Sequence, residues 1–188
     1  FPGGQPGNAI DRNANQYLGL AKVDWNLNSS NVTSFTYNQL HASGKNAIQT
    51  PLVLGNVGRN GTDDVRIQSL NARLTSTISS NLINEFRFQY GRNWEFQFAN
   101  EPPPQVFVGN GFSFGRATFL ERPALPDERR LQFVNNISWT VGRHSMKFGG
   151  EINRAKDIID NPAMFGGSYS YANALLYGRD LLNRTAPD

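Results

Sequence analysis

Cysteine is absent from the 188-residue chain, which rules out a disulfide framework, a thiolate metal site and a thiol nucleophile. Histidine is nearly absent as well. His41 and His144 are the only two, too few for a His-rich zinc site, and the one Gly-x-Ser-x-Gly match, Gly111-Phe112-Ser113-Phe114-Gly115, lies in a loop rather than at a strand-to-helix elbow, so it supports no serine nucleophile. Charged residues make up 18% and hydrophobic residues 38%, against roughly 25% and 45–50% in ordinary soluble domains. The net charge of +3 is scattered, with no basic run able to follow a phosphate backbone, so nucleic acid is not an expected partner. No run of 18 apolar residues exists, which excludes a transmembrane helix but not membrane strands, whose segments are shorter and alternate. The chain opens Phe1-Pro2-Gly3-Gly4, with neither a Met nor an apolar leader, and is expected to be a mature or internal stretch.

Small polar residues and aromatics fill the gap, the latter reaching 12% with 13 Phe. Their spacing is the main signal. Across residues 82–98, Phe86, Phe88, Tyr90, Trp94, Phe96 and Phe98 share one parity, while Glu85, Arg87, Gln89, Gly91, Asn93, Glu95 and Gln97 share the other. Successive side chains alternate across a strand, so this period of two predicts one aromatic and one polar face; on a helix the same residues would scatter. The segment is longer than the usual five or six residues of a globular strand and suits a tilted membrane strand that continues past the bilayer. A row of exposed aromatics would be an aggregation hazard on a soluble sheet, whereas lipid would cover it.

Five further segments repeat the pattern. Tyr17, Gly19, Ala21, Val23 and Trp25 alternate with Lys22, Asp24 and Asn26; Phe35 and Tyr37 follow Asn31 and Thr33. Leu70, Ala72, Leu74 and Ile78 oppose Asn71, Arg73 and Thr75, within a strand over 65–78. Leu131, Phe133, Ile137, Trp139 and Val141 oppose Gln132, Asn136, Ser138 and Thr140, and Met146, Phe148, Gly150 and Ile152 oppose Ser145, Lys147, Glu151 and Asn153. Short turns at 27–30, 79–81 and 142–144 alternate with long Gly-, Asn- and Pro-rich loops at 41–64 and 99–128. Loops that long are uncommon in compact domains and routine in outer-membrane barrels. The expected fold is all-β: an antiparallel up-and-down meander of six to eight long strands of the outer-membrane β-barrel type, incomplete as given. It occupies 1–171, with 168–171 as one more short strand, and a short helix or loop tail follows over 172–188.

Three segments resemble the barrels of TonB-dependent receptors, and among them the Oar-like proteins. Asp24-Trp25-Asn26-Leu27-Asn28 with Phe35-Thr36-Tyr37 is similar to the first hairpin of that family. Leu82-Ile83-Asn84-Glu85-Phe86-Arg87-Phe88-Gln89-Tyr90-Gly91-Arg92 resembles its "NELRxGYxR" strand. The most specific likeness is Trp139-Thr140-Val141-Gly142-Arg143-His144-Ser145-Met146-Lys147-Phe148-Gly149-Gly150-Glu151, similar to its "WxxGRHxLKFGxD" hairpin, followed by Ala174-Leu175-Leu176-Tyr177-Gly178, which resembles "ADFLLG". No plug domain, energy-coupling box or terminal aromatic is read, so the chain looks internal. The resemblance implies a large plugged barrel of the bacterial outer membrane that imports a bulky solute such as an iron chelate or a glycan. Its partners would be lipid and the remaining barrel and plug of the parent protein.

On that reading Lys22, Asp24, Arg73, Glu85, Arg87, Gln89, Lys147 and Glu151 face the lumen, and Trp25, Phe86, Phe88, Tyr90, Trp94, Trp139 and Phe148 face lipid or an interface. Cross-strand ion pairs are the simplest use of the charged set. No catalytic residue and no cofactor is expected, and the protein is not read as an enzyme. Asp63-Asp64, Asp157 and Asp160 are oxygen donors of the kind calcium takes, but such residues ordinarily just solvate turns. Gly109-Asn110-Gly111-Phe112-Ser113-Phe114-Gly115 lies in a loop rather than between a strand and a helix, which disfavours a phosphate cradle. Phe107, Phe112, Phe114 and Phe119 either pack together in the loop or stack on a ligand, the former being the simpler expectation. Two other classes remain: a structural sheet that joins copies of itself through free edges into an extracellular filament or oligomer, and a soluble β-sandwich binding glycans on Trp25, Trp94 and Trp139.

Overall fold

The structure, a computed structural model, describes residues 10–48, 57–109 and 112–185. Six long strands form one antiparallel sheet: β1 (Asn15–Asn28), β2 (Asn31–Gly44), β3 (Gly61–Ser79), β4 (Leu82–Ala99), β7 (Ala124–Val141) and β8 (His144–Asp160), in the order β1-β2-β3-β4-β7-β8. Between β4 and β7 lie two short strands, β5 (Gln105–Val108) and β6 (Phe112–Phe114). After β8 come β9 (Ser168–Tyr171) and the helix α1 (Ala174–Thr185).

Three tight hairpins join the long strands at one end of the sheet. Residues 29–30, 80–81 and 142–143 separate β1 from β2, β3 from β4 and β7 from β8. Local chemistry sets each turn: Asn28 Oδ1 accepts hydrogen bonds from Ser30 N and Asn31 Nδ2, both at 2.9 Å, and Gly142 takes φ 58°, a value other residues adopt only with strain. The longer connections all emerge at the opposite end, called here the loop end. There β2 runs on to Gly44, β3 begins at Gly61 and β7 begins at Ala124, each further into the predicted loops than side-chain alternation alone indicates.

The register carries the alternation across the whole sheet. Val23, Phe35, Ala72, Phe88, Phe133 and Ile152 are successive cross-strand partners from β1 to β8, so one row of the sheet is apolar over all six strands. The rows on either side place Trp25, Leu74 and Phe86, then Ala21, Tyr37, Leu70, Tyr90 and Leu131, on the same face. Phe88 and Phe133 lie with ring centroids 5.2 Å apart. Lys22, Thr36, Asn71, Gln89, Gln132 and Asn153 form the matching row on the opposite, polar face.

Among the described residues nothing covers the apolar face. Phe86 and Tyr90, in a central strand, remain 39% and 38% exposed, and Phe148 is 56% exposed. The buried hydrophobics among the described residues are Ile48, Val106, Val108, Ala117, Leu120 and Ala124, all at the loop end. Ile48, Ala117 and Leu120 form a small core with Ala99 and Phe119 against it. The sheet is open, with β1 and β8 at its edges.

A second sheet, β6-β5-β9, sits at this end and departs from a pure antiparallel meander. β5 pairs with β6 antiparallel but with β9 in parallel, Val106 beside Tyr169 and Val108 beside Tyr171. Parallel pairing needs a long crossover, and the whole β7–β8 hairpin supplies it. The 168–171 strand therefore belongs to this small sheet rather than extending the large one.

Candidate functional site

The polar face presents a broad concave surface rich in functional groups. A shallow hollow of about 450 Å³ lies over the middle of β2, β3, β4, β7 and β8, lined by Ser34, Thr36, Asn71, Arg73, Gln89 and Gln132, with Arg87 and Glu151 at its margin. Its floor is the Thr36–Asn71–Gln89–Gln132 row, and the adjacent row toward the hairpins brings Arg73 directly opposite Arg87. Two like charges in register repel. Glu85 answers them: one oxygen takes a hydrogen bond from Arg73 Nη2, the other an ion pair with Arg87 Nε at 3.3 Å. Across the sheet Gln132 Nε2 donates to Glu151 Oε1 at 2.7 Å.

These contacts place the sequence-predicted polar residues. Arg73, Glu85 and Arg87 form one charge group, and Gln89 stands in the amide row beside it. Glu151 is two strands away, tied to Gln132. Lys22 and Asp24 pair within β1 at 2.8 Å, both more than half exposed. Lys147 lies near the hairpin end, opposite Ser138, and makes no ion pair among the described residues. All eight share the polar face; Arg73, Arg87, Gln89 and Glu151 line one hollow with Glu85 bridging its arginines, while Lys22, Asp24 and Lys147 stand outside it.

The seven predicted apolar residues share the other face at graded heights. Trp139 lies near the hairpins, opposite Leu82 and Met146, with Phe148 one row above. Trp25 and Phe86 come next, then Phe88 and Tyr90. Trp94 is highest, with Arg92 and Arg66 guanidinium carbons 4.7 and 5.1 Å from its ring. The three tryptophans thus stand on separate rows and form no shared platform.

The loop end is held by side chains that periodicity cannot reveal. Asn60 Oδ1 accepts from Ile48 N and Gly61 N, and Gln105 Oε1 accepts from Thr118 N at 2.7 Å. Arg59, almost fully buried, lies 5.2 Å from the Phe107 ring and donates to Ser113 Oγ at 2.9 Å; burial lowers its pKa. Tyr171 donates to Asp180, which raises the phenol's pKa above its ordinary value, and its ring meets Tyr177, fastening α1 onto β9. Phe107, Phe114 and Phe119 take three different partners: Arg59, Tyr177 and Arg122. Asp64 is engaged by His41 at 3.1 Å and Arg66 at 2.9 Å, and Asp63 accepts from Gln97. Among the described residues no cluster of three or more His, Cys, Asp or Glu side chains is placed to hold a metal.

Two features were missed in the sequence. Leu18, Leu20, Leu40 and Ile67 form an apolar patch on the otherwise polar face at β1–β3, with Leu18 76% exposed. It was visible only as a failure of alternation, since both parities of β1 are apolar there. The cations Arg92, Arg129 and Lys156, on the apolar parity, fall in one row, with Arg66 one row higher, only because the register aligns their strands.

Residues 4–180 match the family described as Outer membrane beta barrel domain. The chain belongs to this family. Its long, open antiparallel sheet is the barrel wall of an outer-membrane protein. No curated protein and no solved structure gave a significant match. No helix among the described residues is long and apolar enough to cross a membrane, which leaves crossing by strands as open as before.

Proposed function

We propose that this barrel segment is part of a TonB-dependent-receptor-like transporter that takes up a bulky solute, with its apolar face in lipid and its polar face lining the lumen. One observation carries the orientation: the register gathers the aromatic parity of six strands onto one face, and no element among the described residues covers it. From the Leu82 row to the Tyr90 row the uncharged band of β4 runs about 27 Å along the strand. At the roughly 40° tilt of such strands this is about 20 Å of height, close to the ~25 Å apolar band of outer-membrane barrels. The strands then continue another several residues toward the loop end, as large receptors with tall extracellular walls require.

Size and lining support transport of something large. Diameter grows with strand number, so a large parent barrel of the kind the TonB-dependent-receptor likeness implies would leave room for such a solute. The amide row Asn71, Gln89, Gln132 and Asn153 offers uncharged donors and acceptors to a plug or a polar solute. The likeness of the 139–151 hairpin to the TonB-dependent receptors supplies the energy-coupled part of the reading.

The absence of native cysteine makes the orientation directly measurable. Single substitutions Phe88→Cys and Gln89→Cys, in protein purified from outer membranes and placed in vesicles, should differ in labelling. A membrane-impermeant maleimide should reach Gln89→Cys through the lumen and leave Phe88→Cys unmodified. Equal modification of both would end the assignment. Uptake that survives collapse of the proton gradient would leave a barrel but remove the energy-coupled transporter.

A structural sheet that grows by strand addition has one observation in its favour, the unpaired edges of β1 and β8. Electron microscopy of the chain without detergent separates the two readings: ordered fibres favour assembly, amorphous aggregate favours the transporter wall.

A further inference from the structure

The cations of the apolar face gather within three adjacent rows. Between Leu82 and Tyr90 on β4, and between Leu131 and Trp139 on β7, that face carries no charged side chain. Immediately above, Arg92 on β4, Arg129 on β7 and Lys156 on β8 fall in a single register row. Arg154 lies one row lower on β8, opposite Leu131, and Arg66 one row higher on β3, opposite Trp94.

Such a row is unfavourable by itself. Arg92 faces Arg129 and Arg129 faces Lys156 as direct cross-strand partners, and like charges so placed destabilise a sheet. One carboxylate serves them: Asp127 accepts from Arg92 at 2.7 Å and from Arg129 at 2.9 Å. Arg66 is matched by Asp64 at 2.9 Å. Arg154 and Lys156 make no ion pair among the described residues and are exposed. Five cations against Asp64, Asp127 and the exposed Asp160 further up β8 leave an excess of two positive charges above the uncharged band.

We infer that this row binds the anionic phosphate headgroups of lipids in the leaflet at the loop end, an inference that rests on the lipid-facing orientation proposed above. Guanidinium forks match phosphate oxygens in a bidentate way, and an ammonium beside them adds a point charge. Position selects the source of the phosphate. The cations border the apolar band directly, so a lipid whose headgroup meets Arg129, Arg154 and Lys156 lays its acyl chains along Leu131 and then along Phe133 and Ile152, one row below Arg154. A soluble phosphate gains nothing from that second surface. Arg66 and Arg92 over Trp94 complete a cationic and aromatic edge of the kind that marks a membrane–water boundary.

The test uses the whole protein purified from outer membranes. Wild type, the triple variant Arg129→Gln, Arg154→Gln, Lys156→Gln, and the opposite-face control Lys147→Gln are first inserted into phosphatidylcholine vesicles. Insertion depends on the orientation of the apolar face and not on the cation row, so failure of wild type to insert counts against the orientation alone. Native mass spectrometry then measures retention of phosphatidic acid against phosphatidylcholine, with inorganic phosphate as competitor. Wild type and Lys147→Gln should prefer phosphatidic acid. The triple variant should lose roughly fivefold per cation, on the order of 100-fold in all. Undiminished retention by the triple variant, equal retention of phosphatidylcholine by wild type, or displacement of the lipid by inorganic phosphate would overturn the inference. If the triple variant does not insert, a salt titration of wild type decides. Loss of phosphatidic acid between about 50 and about 500 mM NaCl supports the site, and constant retention sinks it.

Discussion

Arginine scanning up the apolar parity of β4 tests the orientation of the sheet quantitatively. Five rows make up the uncharged band of this strand, at Leu82, Asn84, Phe86, Phe88 and Tyr90, and Phe86 is its centre. Each row is about 6.7 Å of strand, or roughly 5 Å of depth at a 40° tilt. An arginine at the midplane of a membrane barrel costs about 2–4 kcal/mol and near the interface about 0–1 kcal/mol. Phe86→Arg should therefore be the most damaging, Phe88→Arg intermediate and Tyr90→Arg nearly neutral, since native Arg92 lies one row beyond it. Ring contacts complicate the raw numbers, because Phe88 loses its partner Phe133 at 5.2 Å in any truncation, an effect of about 0.5–1.5 kcal/mol. Each arginine variant is accordingly compared with the alanine variant at the same site, leaving the charge-transfer cost alone. Guanidinium unfolding from phospholipid vesicles, followed by the fluorescence of Trp25, Trp94 and Trp139, gives the free energies by linear extrapolation. Gln89→Arg on the polar face should stay within about 0.5 kcal/mol of wild type. A flat profile from Phe86 to Tyr90, or a Gln89→Arg cost equal to that of Phe86→Arg, would refute the assignment of hydrocarbon to this face.

Two further outcomes follow from the geometry. Glu85→Gln leaves Arg73 opposite Arg87 without their shared carboxylate and should destabilise by about 0.2–1 kcal/mol, the small value expected for exposed charges; the loss should shrink in high salt, and a salt-independent effect would mean that packing is responsible. Gly115→Ala should loosen the loop end, because Gly115 has φ 77° and an added Cβ would meet Pro104 O, so limited proteolysis should cut the 100–123 connection faster while the sheet keeps its unfolding midpoint.

The sheet was legible because its alternation is a local consequence of strand geometry. Phe86, Phe88 and Tyr90 against Glu85, Arg87 and Gln89 specify two faces with no knowledge of neighbours, and Asn28 and Gly142 mark the hairpins. The separation of the two faces then follows, since a register slip of one residue would put Phe88 beside Gln132 instead of Phe133. The loop-end structure was not legible. Gln105, Asn60 and Arg59 act through contacts to Thr118, Ile48, Ser113 and Phe107, each a dozen or more residues away along the chain, and no period announces such contacts. The pairing of β5 with β9 is likewise a long-range match of two four-residue strands too short to show alternation. At the polar hollow the residue types were readable, but the sharing of Glu85 between two opposed arginines emerged only from the register of β3 against β4.

That parallel pairing ties the connection after β4 to the segment after β8 across the full length of an intervening hairpin. Because Tyr171 also bonds Asp180, any displacement of β5 and β6 drags α1 with it. The rim of the wall on this side is thus a single jointed piece, and an event felt at one connection reaches another two strands away.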